Sequence, residues 1–182
     1  MALPSKEEQV KEQFFNQPTK HWHFKEIKKE VNIADSKLSK WLKRLQGQNI
    51  IKRIKEKGKM PYYIAEHETP EYKNSKKLFA MKKLHESGLL NYLLSIKADT
   101  VIIFGSFSRS DWHSRSDIDI FIKGKPKIEI GKYEKKLQRD IQIFAAQDEK
   151  ELKKMGSALL KNIIRGDILK GEAEKVIKHA KV

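Results

Sequence analysis

The chain has no cysteine, which excludes disulfide bonds and every metal site built from thiolates. No apolar run approaches the length of a membrane-spanning helix, and no internal repeat or low-complexity tract is present. The segment from Met1 to Glu8 lacks the apolar core of a signal peptide. These absences predict a cytoplasmic protein that does not contact a membrane.

Hydrophobic residues make up 38% of the chain and charged residues 35%. This balance is typical of a globular protein with a very polar surface and not of a disordered chain. A chain of 182 residues is long enough for one ordinary domain or two small ones.

Acidic residues are few relative to basic ones, because 24 Asp and Glu oppose 39 Lys and Arg and leave a net charge of +15. Residues 1–68 carry 15 basic and 9 acidic residues, a net of +6, and residues 69–182 carry 24 and 15, a net of +9. A positive charge of this size favours polyanions through counterion release, so nucleic acid is a natural partner. Lysine-rich surfaces also confer solubility, and charge alone does not separate the two explanations.

One stretch combines a glycine–serine pair with two aspartates. The apolar, β-branched run 100–104 predicts a buried strand that ends at Gly105 and Ser106, where a turn can offer backbone amides to a phosphate. Further along, Asp117 and Asp119 alternate with isoleucines. Because side chains on a strand change sides at every residue, both carboxylates are expected on one face.

Carboxylates two residues apart on a strand have Cβ atoms about 6 to 7 Å apart and can bind a shared metal. Mg²⁺ prefers oxygen ligands and is commonly held by one or two carboxylates together with substrate phosphates. Asp140 heads another alternating run, 139–144, and is the candidate third acid. Two metal ions about 3.5 to 4 Å apart would bind the attacking and leaving oxygens of an in-line displacement. The alternative is that Asp140 is only an exposed acid in a local ion pair.

The spacing Gly-Ser, ten residues, Asp-x-Asp resembles the minimal nucleotidyltransferases of the DNA polymerase β superfamily, over roughly residues 75–172. The resemblance implies an α/β (α+β) fold in which a small mixed β-sheet is flanked by helices. It implies Mg²⁺ bound by the catalytic residues Asp117, Asp119 and Asp140, and a nucleoside triphosphate, with ATP favoured, bound by Gly105, Ser106 and Arg109. Many family members carry glycine directly after the arginine. This chain has Ser110 there, followed by the bulky Trp112 and His113, which affects the expected loop geometry and substrate choice.

The N-terminal part predicts three helices followed by a two-stranded hairpin. The predicted elements are a helix over 4–15, a second carrying Phe24, Ile27 and Val31, a third capped by Asp35 or Ser36, and strands over 50–54 and 60–64. This order resembles the winged helix-turn-helix family of DNA-binding domains over roughly residues 4–66. The resemblance implies that the third helix and the hairpin tip face DNA, through Ser36, Lys37, Lys40, Lys43, Arg44 and Lys57. RNA is the less favoured partner, and winged helices also serve as docking or dimerisation modules.

Together these patterns predict a winged helix over residues 1–68, a connecting helical segment over 69–98 with a break near Gly88, and a nucleotidyltransferase domain over 99–182. The predicted reaction is Mg²⁺-dependent transfer of a nucleoside monophosphate to an acceptor hydroxyl. The family includes antitoxins that adenylylate tyrosines of toxins carrying the HEPN ribonuclease domain, so an acceptor of that kind and a toxin–antitoxin role are expectations. A dimer is compatible with the sequence. The alternative is a transcriptional regulator whose nucleotidyltransferase-like domain binds nucleotide or dimerises without catalysis.

Overall fold

The computed structural model describes residues 5–177, which form two compact units. Unit 1 contains residues 5–78 and Trp112–Ser114, and unit 2 contains Phe79–Asp111 and 115–177. The predicted helix start at Pro4 and the outer ends of the predicted domains lie outside the described residues. Among residues 5–177, no helix is both long and apolar enough to span a bilayer.

Unit 1 consists of helices followed by a hairpin. Its elements are α1 (Lys6–Asn16), α2 (Phe24–Val31), α3 (Asp35–Gly47), β1 (Ile51–Ile54), β2 (Tyr62–Ala65) and the first part of α4 (Pro70–Ser87). The two strands are antiparallel. At the start of α1, the Ser5 side chain accepts a hydrogen bond from the Glu8 amide, and the Glu8 carboxylate accepts one from the Ser5 amide. This capping box satisfies two amides at the end of the helix.

The expected capping of α3 by Asp35 or Ser36 is wrong. Ala34 occupies the N-cap position and makes no side-chain hydrogen bond, so the helix begins one residue earlier than a cap at Asp35 requires. Asp35 lies in the first turn, where a negative charge complements the helix dipole. It pairs there with Lys28 at 2.7 Å.

Aromatic rings form much of the core of unit 1. The Phe15 ring packs edge-on against Tyr72, with 5.3 Å between centroids, and against Trp112, with 6.1 Å. The Tyr72 hydroxyl donates a hydrogen bond to the Phe14 carbonyl at 3.0 Å. All four side chains are buried. Trp112, which follows the Gly-Ser motif in sequence, is therefore part of this core.

Unit 2 is built on a four-stranded sheet. Its elements after α4 are α5 (Leu89–Ser95), β3 (Thr100–Phe104), α6 (Gly105–Arg109), β4 (Ile118–Lys123), α7 (Gly131–Leu137), β5 (Ile141–Ala146), α8 (Glu149–Lys154), α9 (Ser157–Ile164), β6 (Asp167–Lys170) and α10 (Glu174–Ile177). The strand order is β5-β4-β3-β6, with β4 and β5 parallel and the other pairs antiparallel. The predicted α/β class with a small mixed sheet is confirmed.

The burial of β3 agrees with its place as one of the two inner strands of this sheet. All five of its residues are buried, as expected for an apolar run covered on both faces. On one face Phe104 and Phe121 pack in a single cluster with Leu152 of α8 and Ile163 of α9. Between α4 and α5, Gly88 adopts a left-handed backbone with φ of 85°, so the predicted helix break is confirmed.

Candidate active site

Gly105 joins β3 to α6 and lies directly against the Asp119 side chain. Phe104 is paired with Asp119 across the antiparallel strands, which brings the turn over this carboxylate. The φ of Gly105 is +70°, and a Cβ at this position would overlap a carboxylate oxygen of Asp119. Glycine is therefore needed here both for the left-handed backbone and for the close approach.

The two aspartates lie at the start of β4. Asp119 is the second residue of the strand, and Asp117 immediately precedes it. Both are partly exposed, while Ile118 and Ile120 between and after them are fully buried. The predicted alternation is confirmed, and it keeps both aspartates partly open to solvent.

The electrostatics of the pair favour a cation. Burial raises the pKa of Asp119 by disfavouring its charged form, and repulsion from the Asp117 carboxylate raises it further. The positive charge of Arg109 acts in the opposite direction. A divalent ion with oxygen ligands would relieve this repulsion, so the chemistry of the pair fits Mg²⁺.

Arg109 ends α6 and is held by two partners. Its Nε donates to an Asp111 carboxylate oxygen and its Nη1 donates to the Asn162 side-chain oxygen, each at 3.0 Å. About half of the Arg109 side chain is exposed, so part of it remains accessible to a ligand. Asn162 was not predicted, because it lies on α9 and only the packing of that helix against β3 brings it near the loop.

The loop after α6 turns back on itself. The Ser106 carbonyl accepts hydrogen bonds from the amides of Ser110 and Asp111, the latter at 3.1 Å. Ser110 is buried and has a left-handed backbone with φ of 62°. Glycine adopts this backbone conformation at a lower energetic cost than serine does.

Gln142 was not predicted as a site residue, yet it is the β5 residue beside the aspartates. The parallel register pairs it with Asp119, and its Nε2 donates a hydrogen bond of 2.5 Å to a carboxylate oxygen of Asp117. The signal available in the sequence was the alternation of Gln142 with the apolar Ile141 and Ile143. That pattern does not reveal which strand lies alongside.

Asp140 is exposed and lies one residue before β5. Its backbone carbonyl accepts a hydrogen bond of 3.0 Å from the Ile118 amide. Across residues 5–177 there is no group of three Asp, Glu, His or Cys side chains that could hold a metal ion. The structure therefore does not bring Asp140 together with Asp117 and Asp119 in such a group, and its role stays a prediction.

The predicted DNA-facing residues are all solvent-exposed on unit 1; they are Ser36, Lys37, Lys40, Lys43 and Arg44 on α3 and Lys57 in the turn between β1 and β2. Arg44 is partly neutralised, because its Nη1 lies 3.2 Å from a Glu7 carboxylate oxygen. On the same hairpin turn, Lys59 pairs with Glu56. The lysines of α3 are spaced so that they share one helix face.

Comparison with known families agrees with the geometry of unit 2. Residues 89–175, from α5 to the start of α10, match the family described as Polymerase beta, Nucleotidyltransferase. This match supports the nucleotidyltransferase superfamily and a nucleotidyltransferase type of function for this part of the chain. No match was found among curated proteins or among solved structures.

Proposed function

We propose that this chain is a Mg²⁺-dependent nucleotidyltransferase that moves a nucleoside monophosphate from a nucleoside triphosphate, preferably ATP, to an acceptor hydroxyl. The observation that carries the proposal is the contact between Gly105 and the carboxylate of Asp119. This contact places a turn that can offer backbone amides to a phosphate beside the pair of aspartates. Both features lie within the segment that matches the family model.

In this proposal each group has a limited task. The turn at Gly105 and Ser106 holds phosphate oxygens, and Arg109 adds positive charge beside them. Asp117 and Asp119 hold Mg²⁺, which when bound neutralises triphosphate charge and favours attack at the α-phosphorus. The acceptor oxygen forms a bond to that phosphorus, and the bond from the phosphorus to the oxygen that bridges it to the β-phosphate breaks. Pyrophosphate leaves, and the hydroxyl proton passes to solvent or to the Asp140 carboxylate acting as a base.

The acceptor in the proposal is a protein tyrosine. The family that the sequence resembles includes antitoxins that modify tyrosines of HEPN toxins. The decisive experiment incubates the protein with Mg²⁺, host extract and each α-labelled triphosphate in turn. Label on a protease-sensitive product that disappears with Asp117→Ala and Asp119→Ala supports transfer to protein. Label on a ribonuclease-sensitive product would show that the acceptor is RNA and not a protein. If no label depended on the aspartates, the proposed transfer reaction would be overturned.

For unit 1 we propose a winged helix that binds duplex DNA through α3 and the β1–β2 turn. The support is the element order of three helices and a hairpin, together with exposed lysines on one face of α3. Phosphate contacts by such lysines make binding strongly salt-dependent. Titration of labelled duplex DNA and RNA at several salt concentrations tests this, and a preference for RNA at equal salt would contradict it.

The second candidate is a DNA-binding regulator that binds nucleotide without transferring it. The observation that favours it is the neutral Gln142 beside Asp119, where a third carboxylate would otherwise add charge and basicity. Nucleotide binding without label transfer under any of the conditions above, together with a change in DNA affinity on adding nucleotide, would support this candidate.

A further inference from the structure

Gln142 occupies a defined place in the site. It pairs with Asp119 across parallel strands, so adjacent backbones place its side chain beside the carboxylates, about 4.8 Å between strands. Its amide nitrogen donates to Asp117. The neighbouring acid, Asp140, lies outside the paired strand. The β5 side chain that contacts Asp117 is therefore neutral and donates a hydrogen bond, whereas a carboxylate could only accept one.

This chemistry limits how many cations the site can hold. Two carboxylates and a triphosphate supply enough oxygen ligands for one Mg²⁺, because this ion keeps several waters and takes few protein ligands. A second ion next to the first adds repulsion between the two cations, which a further carboxylate would offset. The Gln142 amide supplies no charge, and its N–H donor reduces the electron density that Asp117 can offer.

We propose that Gln142 orients the Asp117 carboxylate and restricts the site to a single divalent cation, which enters with the triphosphate. The proposal rests on the proposed function, since it assumes that the site binds a nucleotide. It goes further by assigning Gln142 as the residue that determines the cation count. Gln142 is a positioning residue, because it acts through Asp117.

The test counts bound Mn²⁺ by electron paramagnetic resonance on the full chain, with and without α,β-methylene ATP, which cannot be cleaved at the reacting bond. Gln142→Glu adds one negative charge at nearly constant shape. Gln142→Leu removes the amide without adding charge, and Asp140→Asn removes the neighbouring acid. Circular dichroism and thermal unfolding with and without Mn²⁺ show that each variant is folded.

We expect one nucleotide-dependent Mn²⁺ per chain in the unchanged protein and in Asp140→Asn, weaker Mn²⁺ binding in Gln142→Leu, and two ions in Gln142→Glu. Gln142→Glu should also unfold at lower temperature without Mn²⁺ and regain stability when Mn²⁺ is added, because a third like charge needs the cation. Two ions in the unchanged protein, or one in Gln142→Glu, would overturn the inference while leaving nucleotide binding intact. Failure of the unchanged protein to bind the nucleotide analogue would overturn the proposed function as well.

Discussion

The acidic site of unit 2 and the basic face of unit 1 are organised in opposite ways. Asp119 is positioned by strand register and by contact with Gly105, so its environment depends on a few buried neighbours. Lys40 and Lys43 are exposed on α3, and the positions of their side chains depend only on helical spacing. Single substitutions at the acidic site should therefore have large effects, whereas effects on the basic face should be small and should accumulate with the number of charges removed.

The largest effect is expected from Gly105→Ala. The new Cβ would displace the Asp119 carboxylate and the left-handed backbone would be strained, so nucleotide binding should fall below detection. The free energy of unfolding should fall by more than about 1 kcal/mol, the usual cost of a left-handed alanine. Isothermal titration with α,β-methylene ATP and Mg²⁺, together with urea unfolding, measures both changes.

Gly156→Ala is the matched control for this variant. Gly156 has a similar φ of +78°, but nothing lies within 4 Å of a Cβ built there. It should show the backbone cost alone and keep nucleotide affinity. Equal losses of affinity in the two variants would mean that the close contact with Asp119 is not what binding requires.

A double substitution on the basic face comes next in size. Lys40→Gln with Lys43→Gln should weaken binding to any duplex and lower the slope of log affinity against log salt by about 2, or about 0.9 per lost phosphate contact. Fluorescence anisotropy at several salt concentrations gives the slope. Lys97→Gln with Lys125→Gln removes the same charge from exposed positions of unit 2 and should change the slope little. Equal effects from both pairs would indicate general charge attraction and no particular face.

The sequence was sufficient for the parts of the molecule that depend on local pattern. The run 100–104 forms the strand that its apolar, β-branched residues predict, and the break at Gly88 follows from its left-handed backbone. The neighbour of the aspartates was not predictable in the same way. A parallel register joins strands that are distant in sequence, and a shift of two residues exchanges Asp140 for Gln142 without changing the alternation.

Asp119 gives a smaller, pH-dependent prediction. Its pKa is raised in the folded protein, so the folded state holds this proton more tightly than the unfolded chain does. Its stabilising contribution is therefore present at low pH and is lost as the pH rises through the raised pKa. Asp119→Asn should lack this loss and be relatively more stable near neutral pH without metal. Urea unfolding between pH 3 and 7 measures the difference, and parallel pH profiles would contradict the prediction.

The smallest effect is expected from Ser110→Gly. Ser110 holds a left-handed backbone, which costs a residue with a Cβ more than it costs glycine. Glycine in turn loses more backbone entropy on folding, so the net gain should be no more than about 1 kcal/mol in the free energy of unfolding. Gln138→Gly is the control, because Gln138 is exposed in unit 2 with a φ of 53° and should gain a similar amount. If Gln138→Gly stabilises and Ser110→Gly destabilises, the buried Ser110 hydroxyl contributes more than the backbone strain costs. Serine at this position would then be a structural requirement of this loop, despite its unfavourable backbone conformation.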